Sequence, residues 1–164
     1  MSTDTAPQTE AGRIEIEREF PAARERVFAR WTDAEALGRW FAPPGYSTLH
    51  SESDPRPGGA WRLDFRADTG DHRYTERGEF REVRPFERLV LTLTQFDDEH
   101  ANPNTLVSVS LDDIGTPGAP RTRMRFVQSG YRSPALRDDN EQGWRECFDG
   151  LARELKRAET RRSA

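Results

Sequence analysis

Hydrophobic and polar residues recur with two different periods along this chain, and each period predicts a different kind of element. The first regular segment is RIEIEREF, in which Ile14 and Ile16 alternate with glutamates. Alternation of this kind places the apolar side chains on one face of a strand and the charged ones on the other. The sequence therefore predicts a first strand here, buried on one side.

The period then becomes helical. PAARERVFARWTD begins at Pro21 and carries Val27 and Trp31 at helical spacing, and proline is well suited to the first position of a helix. Thr32 and Glu35 have the spacing of a capping box, which predicts a second short helix over the apolar residues that follow. That helix is expected to end at APPG, because proline cannot continue a helix.

From Tyr46 to Gln128 the period is two. The alternating runs are AWRLDFR, YTERGEFREV, ERLVLTLTQF, TLVSVSLDD and RTRMRFVQS. Turn residues or polar loops separate them, and strands joined in this way pair with their neighbours as an antiparallel meander. The inner face of such a sheet needs a cover.

The last regular segment, NEQGWRECFDGLAREL, supplies that cover as a long helix. Asp138 or Asn140 is placed to cap it. Its broad apolar arc comprises Trp144, Cys147, Phe148, Leu151 and Leu155. Gly143 and Gly150 lie at the edge of this arc, although each glycine costs a helix about 1 kcal/mol relative to alanine. The glycines indicate either a close backbone neighbour or free volume beside the helix.

Composition narrows the choice of function. The 164 residues suffice for one domain, and a net charge of -4 argues against nucleic acid as a partner. The N-terminal residues lack any apolar period, so we expect a disordered tail over 1–12, a single domain over 13–158 and a frayed end over 159–164. No signal peptide and no membrane-spanning run is found, which favours a cytoplasmic protein without a membrane partner.

Five segments together resemble one known family. They are FPAARERVFARWTD, LGRWFAPPG, DPRPGGAWRLDF, YTERGEFREVRPFERLVLTLT and EQGWRECFDGLARELK. In this order and spacing the chain resembles the START-like, or SRPBCC, superfamily, and within it the bacterial homologues of the activator of heat-shock protein 90 ATPase. The resemblance implies an α+β helix-grip fold: a curved antiparallel sheet of six or seven strands around a long C-terminal helix, with two short helices after the first strand. It also implies a cavity between the sheet and that helix.

The inward-facing residues are the candidates for lining this cavity. They are Trp40, Phe41, Trp61, Phe65, Tyr74, Glu76, Phe80, Phe126, Gln128, Trp144 and Cys147. The alternative for each aromatic residue is that it simply fills the core. Glu76 is either a carboxyl with a raised pKa inside the cavity or a strand-end residue that reaches water, and the second interpretation is favoured. Gln128 either meets a ligand or satisfies backbone groups.

The sequence offers little for a metal or a cofactor. His50, His72 and His100 are scattered without ligand spacing. Cys147 is the one cysteine, and on an apolar arc a cysteine is more often a small buried hydrophobe than a nucleophile. We therefore expect no cofactor and no metal.

Three functions remain open, because one fold can carry many. The first is binding of a small hydrophobic or aromatic ligand, oriented by Tyr74 or Glu76. The second is an enzyme of the polyketide-cyclase or hydrolase type that uses the same cavity. The third is a chaperone-associated interaction domain, which ranks lower because the chain has no room for the additional N-terminal domain of the activator. A homodimer is also left open.

Overall fold

The structure, a computed structural model, describes residues 12–97 and 104–163, with side chains described as far as Arg157. Residues 1–11 of the predicted tail lie outside the described residues, and so does His100. No helix in the described part of the chain is both long enough and apolar enough to cross a membrane.

One curved sheet of seven strands forms the frame of the molecule. The strands are β1 (Arg13–Phe20), β2 (Tyr46–Ser53), β3 (Ala60–Ala67), β4 (Arg73–Arg84), β5 (Arg88–Asp97), β6 (Thr105–Asp113) and β7 (Thr122–Ser129). Their order is β1-β7-β6-β5-β4-β3-β2, and every neighbouring pair is antiparallel. The predicted α+β helix-grip fold, with its meander and its cover helix, is confirmed.

Two short helices follow β1, and both begin later than their sequence signals suggest. Helix α1 runs over Arg24–Thr32 and has no side-chain cap, so the predicted start at Pro21 is wrong. Its position depends on burial of Val27, Phe28 and Trp31 rather than on a capping residue. Packing of these apolar side chains stabilises the helix in place of a capping hydrogen bond.

The predicted capping box is also wrong. Thr32 stays in the last turn of α1, where its hydroxyl donates to the carbonyl of Phe28 at 3.1 Å. Asp33 takes the capping role for α2 (Ala34–Phe41), and its carboxylate accepts from the Ala36 N–H at 3.0 Å. An aspartate in extended backbone geometry is as good a cap as a threonine.

The long helix α3 covers Pro134–Ser163, so it begins before the predicted caps. The hydroxyl of Ser133 accepts from the Leu136 N–H at 3.3 Å, and Pro134 occupies the first turn, where its missing N–H costs nothing. Asn140 lies inside the helix, with its amide donating to the Leu136 carbonyl. Asp138 lies inside it as well, and the expectation that either residue caps α3 is corrected.

A buried ion pair joins α2 to α3. Glu154 is 8% exposed, and its carboxylate accepts from the guanidinium of Arg39 at 2.8 Å. Arg30 of α1 lies 3.7 Å from the same carboxylate oxygen. This end of α3 is therefore held by the two short helices.

Trp61 shows how closely the sheet is packed. It pairs with Gly78 of β4, and its indole N–H reaches across that strand to the carbonyl of Thr92 on β5 at 3.0 Å. A side chain at position 78 would clash with that carbonyl, since a β-carbon there has no room. Gly78 thus lets three strands share one buried tryptophan.

Candidate functional site

A cavity of about 200 Å³ opens between the first turns of α3 and the inner face of β4 and β5. Its lining is formed by Phe41, Pro43, Tyr74, Glu76, Leu93, Gln95, Gln128, Leu136, Asp139, Asn140, Gly143, Trp144 and Cys147. A cavity of roughly 150 Å³ is enough for benzene, whereas drug-sized ligands need about 300 Å³ or more. The volume suits one aromatic ring or a short aliphatic chain.

Six of the eleven residues that the sequence singles out line this cavity: Phe41, Tyr74, Glu76, Gln128, Trp144 and Cys147. The other five are Trp40, Trp61, Phe65, Phe80 and Phe126, all of which are at most 2% exposed. All five pack in the core, and Trp61 also borders a groove on the other face of the sheet. The alternation of polar and apolar residues identifies an inner face. It does not show which part of that face is closely packed and which part lines a cavity.

Glu76 points into the cavity from β4, because it lies two residues after the inward-facing Tyr74 and so on the same face of the strand. The bulge in this strand falls between Phe80 and Glu82, beyond Glu76. The side chain is half-buried, with its accessible surface in the cavity, and burial raises the pKa of its carboxyl to about 8. Its carboxyl makes no hydrogen bond or ion pair with any residue that the structure describes. A carboxyl of this kind is neutral at neutral pH and free to meet a ligand.

Gln128 has a different role from Glu76, because its amide oxygen and nitrogen are already hydrogen-bonded to other residues. Its Oε1 accepts from the Trp144 indole at 2.7 Å and from the Tyr131 hydroxyl at 2.9 Å. Its Nε2 donates to the Thr105 hydroxyl at 2.8 Å. An indole N–H can only donate, so the amide oxygen must face Trp144. Gln128 therefore fixes the tryptophan wall of the cavity.

Two further titratable groups of the lining, the thiol of Cys147 and the hydroxyl of Tyr74, stay neutral. Burial raises the pKa of the Cys147 thiol well above its ordinary range, and the nearby carboxyl of Glu76 adds to the rise. The thiol donates to the Phe41 carbonyl at 3.4 Å. Burial also raises the pKa of Tyr74, again with a contribution from Glu76. Cys147 is thus a packed hydrophobe at the cavity wall rather than an activated nucleophile.

The two glycines of α3 have different surroundings. Gly143 lines the cavity, and a β-carbon built there meets nothing within 4 Å. It precedes Cys147 by one helical turn, so both residues lie on the same face. A β-carbon at Gly150 would lie 3.8 Å from the Trp40 carbonyl oxygen of α2. The free volume is therefore at Gly143, whereas a β-carbon at Gly150 would make an ordinary van der Waals contact with another helix.

Sequence reasoning missed several residues of the site. Leu93 and Gln95 occupy inward positions of β5, so their alternation could have identified them. Asp139 and Asn140 lie one turn before Gly143, a spacing that helical periodicity provides. Tyr131 lies in the segment between β7 and α3, and no periodicity predicts its contact with Gln128.

A larger groove of about 560 Å³ lies on the opposite face of the sheet, over β3, β4 and β5. Its borders include Arg62, Arg77, Glu79 and Arg81, and Arg77 is stacked on Phe96 with 4.5 Å between the guanidinium and the ring centre. These outward residues are mostly exposed. The groove is an exposed, charged surface rather than an enclosed site.

The described residues contain no group of three or more side chains that could hold a metal ion. His50 contacts Glu52 at 2.8 Å, and His72 contacts the Tyr46 hydroxyl at 2.7 Å. His50 and His72, the two histidines that the structure describes, therefore each have a local polar partner.

Comparison with known proteins gives one family and many similar folds. Residues 21–156 match the family described as Activator of Hsp90 ATPase homolog 1-like protein. The crystal structure of a Silicibacter pomeroyi protein named AHSA1 has a TM-score of 0.76 with this chain at 24% identity, covering 88% of this chain and 97% of that one. A protein from Chromobacterium violaceum has a TM-score of 0.75 at 24% identity, with the same two coverages. A protein from Rhizobium leguminosarum has a TM-score of 0.70 at 25% identity, covering 88% of this chain and 94% of that one.

A comparison with curated proteins finds no match to this chain. These structural similarities establish the fold alone, and they do not identify a ligand or a reaction.

Proposed function

The chain belongs to the family of Activator of Hsp90 ATPase homolog 1-like proteins, and we propose that it binds a small, largely apolar ligand in the cavity between β4, β5 and α3. The observation that carries this proposal is Glu76: a carboxyl without a partner among the described residues, inside a cavity of about 200 Å³. Burying such a group is unfavourable for folding. A carboxyl kept at that cost in a cavity with aromatic walls is typical of a binding site.

The shape and chemistry of the lining limit the ligand to about one ring in size. Phe41 and Trp144 pack edge to face at the cavity wall, with ring centres 5.4 Å apart. Together with Tyr74 they offer aromatic surface to a flat molecule. Gln128 holds Trp144 in place before any ligand arrives, which lowers the entropy cost of binding.

A titration followed by nuclear magnetic resonance tests the proposal. Benzyl alcohol is a suitable probe because it has one ring and no charge. We expect the signals of Tyr74, Glu76 and Trp144 to shift with saturating behaviour, while those of Arg77 and Thr94 in the outer groove stay unchanged. Shifts confined to the outer groove, or none up to the solubility of the probe, would show that the cavity is not a binding site.

Native mass spectrometry adds an independent measurement. Protein purified from its own host and sprayed under gentle conditions should carry a small molecule that denaturation releases. The mass of that molecule would identify the ligand directly.

An enzyme is the second candidate, and the same residue favours it. The carboxyl has a pKa of about 8, which is near the working pH of most cells. General acid–base catalysis requires such a match between pKa and pH. If the ligand is also a substrate, turnover should follow a titration near that pH and be lost in Glu76→Gln. Loss of turnover with unchanged binding of benzyl alcohol would separate catalysis from binding.

The description of the family names an activator of the Hsp90 ATPase. The perturbed carboxyl of this chain lies inside the fold rather than on its surface. We therefore place ligand binding ahead of a contact with a chaperone.

A further inference from the structure

We propose that the ligand of this cavity is a small organic amine, bound as its ammonium ion with the nitrogen at the carboxylate of Glu76 and the apolar part against Phe41 and Trp144. This inference rests on the proposed function and names its ligand class. Three features of the lining support it: the sign of its charges, the free oxygens of Glu76 and the aromatic walls.

The charges of the lining are all of one sign. Glu76 and Asp139 are its acidic members, and no arginine, lysine or histidine is among the described residues that line it. The chain as a whole carries 25 lysines and arginines, so their absence from this surface is a local property. Among the described residues of the lining, an anionic ligand would meet two carboxyl groups and no cation, whereas a cation would meet only favourable charges.

The oxygens of Glu76 are free for a ligand. Elsewhere in the described chain, carboxylates commonly contact arginine, as Glu154 does with Arg39 at 2.8 Å and Glu15 does with Arg125 at 3.1 Å. The carboxyl of Glu76 has no such partner among the described residues. An ammonium ion would supply the missing charge and up to three donors.

The aromatic walls favour a cation as well. The face of an aromatic ring attracts a cation within about 6 Å, most strongly for tryptophan. Phe41, Tyr74 and Trp144 line the same cavity as Glu76. A carboxylate combined with aromatic rings is complementary to a charged nitrogen attached to an apolar group.

Binding of an ammonium ion should be coupled to release of a proton. Glu76 has a pKa of about 8 in the free protein, so it is mostly protonated at neutral pH and must ionise to pair with a cation. The affinity for an amine should therefore rise as pH rises toward 8, by at most tenfold per pH unit. A neutral ligand would show no such rise.

Three titratable groups near Glu76 keep their protonation state in this range. Tyr74 on β4, Tyr131 before α3 and Cys147 on α3 all have pKa values raised by burial and by the charge of Glu76, so they stay neutral. Asp139 lies at the exposed border of the cavity. His72 is stacked on Tyr74, with ring centres 6.1 Å apart, and its contribution is removed by repeating the titration in His72→Gln.

Calorimetric titration of the full chain tests the proposal with three probes of one size: benzylamine, benzyl alcohol and benzoate. Near pH 8 we expect benzylamine to bind about tenfold or more tightly than benzyl alcohol, as a charged hydrogen bond allows. Benzoate should bind more weakly than either. Heats measured in two buffers near pH 7 should show release of close to one proton per benzylamine and none for benzyl alcohol.

Two variants locate the nitrogen. Glu76→Gln has nearly the same shape, so it should lose about tenfold or more of the benzylamine affinity and change the benzyl alcohol affinity much less. Asp139→Asn, at the border, should change the benzylamine affinity by less than about threefold because water screens its charge. A larger effect of Asp139→Asn than of Glu76→Gln would overturn the pairing with Glu76.

The outcomes also separate this inference from the proposed function. Benzyl alcohol that binds in the cavity at least as tightly as benzylamine, without proton release by the amine, would overturn the amine class and leave ligand binding intact. Failure of all three probes to bind would overturn both. Tight binding of benzoate would show that the acidic lining does not select charge.

Discussion

The indole nitrogen of Trp144 lies 2.7 Å from Oε1 of Gln128, so one buried hydrogen bond connects α3 to β7 beside the cavity. The same oxygen accepts from the hydroxyl of Tyr131 at 2.9 Å. Gln128 is fully buried, so water cannot replace these bonds.

Replacing Gln128 with leucine should therefore destabilise the protein. It removes the acceptor of two buried donors, at about 1–3 kcal/mol for each unsatisfied group, or roughly 2–6 kcal/mol in total. Tyr131→Phe is the matched control because it removes one donor and leaves no unpaired group on tyrosine; it should cost about 1 kcal/mol. Urea unfolding of both variants gives the comparison, and a Gln128→Leu variant as stable as Tyr131→Phe would contradict the network.

The stability of the protein should depend on pH through Glu76. Its pKa is about 8 in the folded protein and near 4.5 in the unfolded chain, so the folded state holds the extra proton between these values. The contribution of this group to stability is fully present below about pH 4.5, and it falls as pH rises from there to 8, with a slope of at most about 1.4 kcal/mol per pH unit. Water in the cavity reduces that slope.

Glu76→Gln removes this titration and serves as the reference. The difference in the free energy of unfolding, wild type minus variant, should decrease between about pH 5 and pH 8 and then level off. A difference that stays constant over this range would mean that the carboxyl of Glu76 is solvated like an ordinary surface glutamate.

Trp61 and Arg62 are neighbours on β3 with opposite expected effects. Trp61→Ala should cost about 3–5 kcal/mol, because the indole is 2% exposed and hydrogen-bonded to Thr92. Arg62→Ala should change stability by less than about 0.5 kcal/mol, since its contact with Asp64 is a surface ion pair. Denaturant unfolding that reverses this order would contradict the side-chain orientation of β3.

The fold could be predicted from the sequence because its signals are periodic. The alternation in TLVSVSLDD and in AWRLDFR identifies β6 and β3 almost to the residue. The helix starts could not be predicted as well. Both the Pro21 and the Thr32 signals are local, and packing of Trp31 and the carboxylate of Asp33 override them.

The site was harder to predict than the fold, because a cavity forms where side chains do not fill the space between the elements. Phe65 and Tyr74 face inward on paired strands, yet only Tyr74 lines the cavity. The position of Glu76 follows from strand phase, but the bulge that could have turned it outward falls farther along β4. Where the bulge lies is set by the pairing with β5, which a single strand does not encode.

Gly143 and Gly150 of α3 should respond differently to the same substitution. Gly143→Leu should place a side chain in the cavity, where a β-carbon meets nothing within 4 Å. Helix propensity improves by about 1 kcal/mol, so the variant should remain at least as stable as wild type and lose affinity for benzyl alcohol and benzylamine alike. Gly150→Leu should do the reverse, because its side chain meets Trp40 of α2; overpacking costs about 1–3 kcal/mol while the cavity stays open. Thermal unfolding and calorimetric titration of both variants check the pair. A folded Gly143→Leu variant that binds benzyl alcohol with the affinity of wild type would show that the probe occupies some other part of the protein, and equal losses of stability in both variants would show that Gly143 is packed as closely as Gly150.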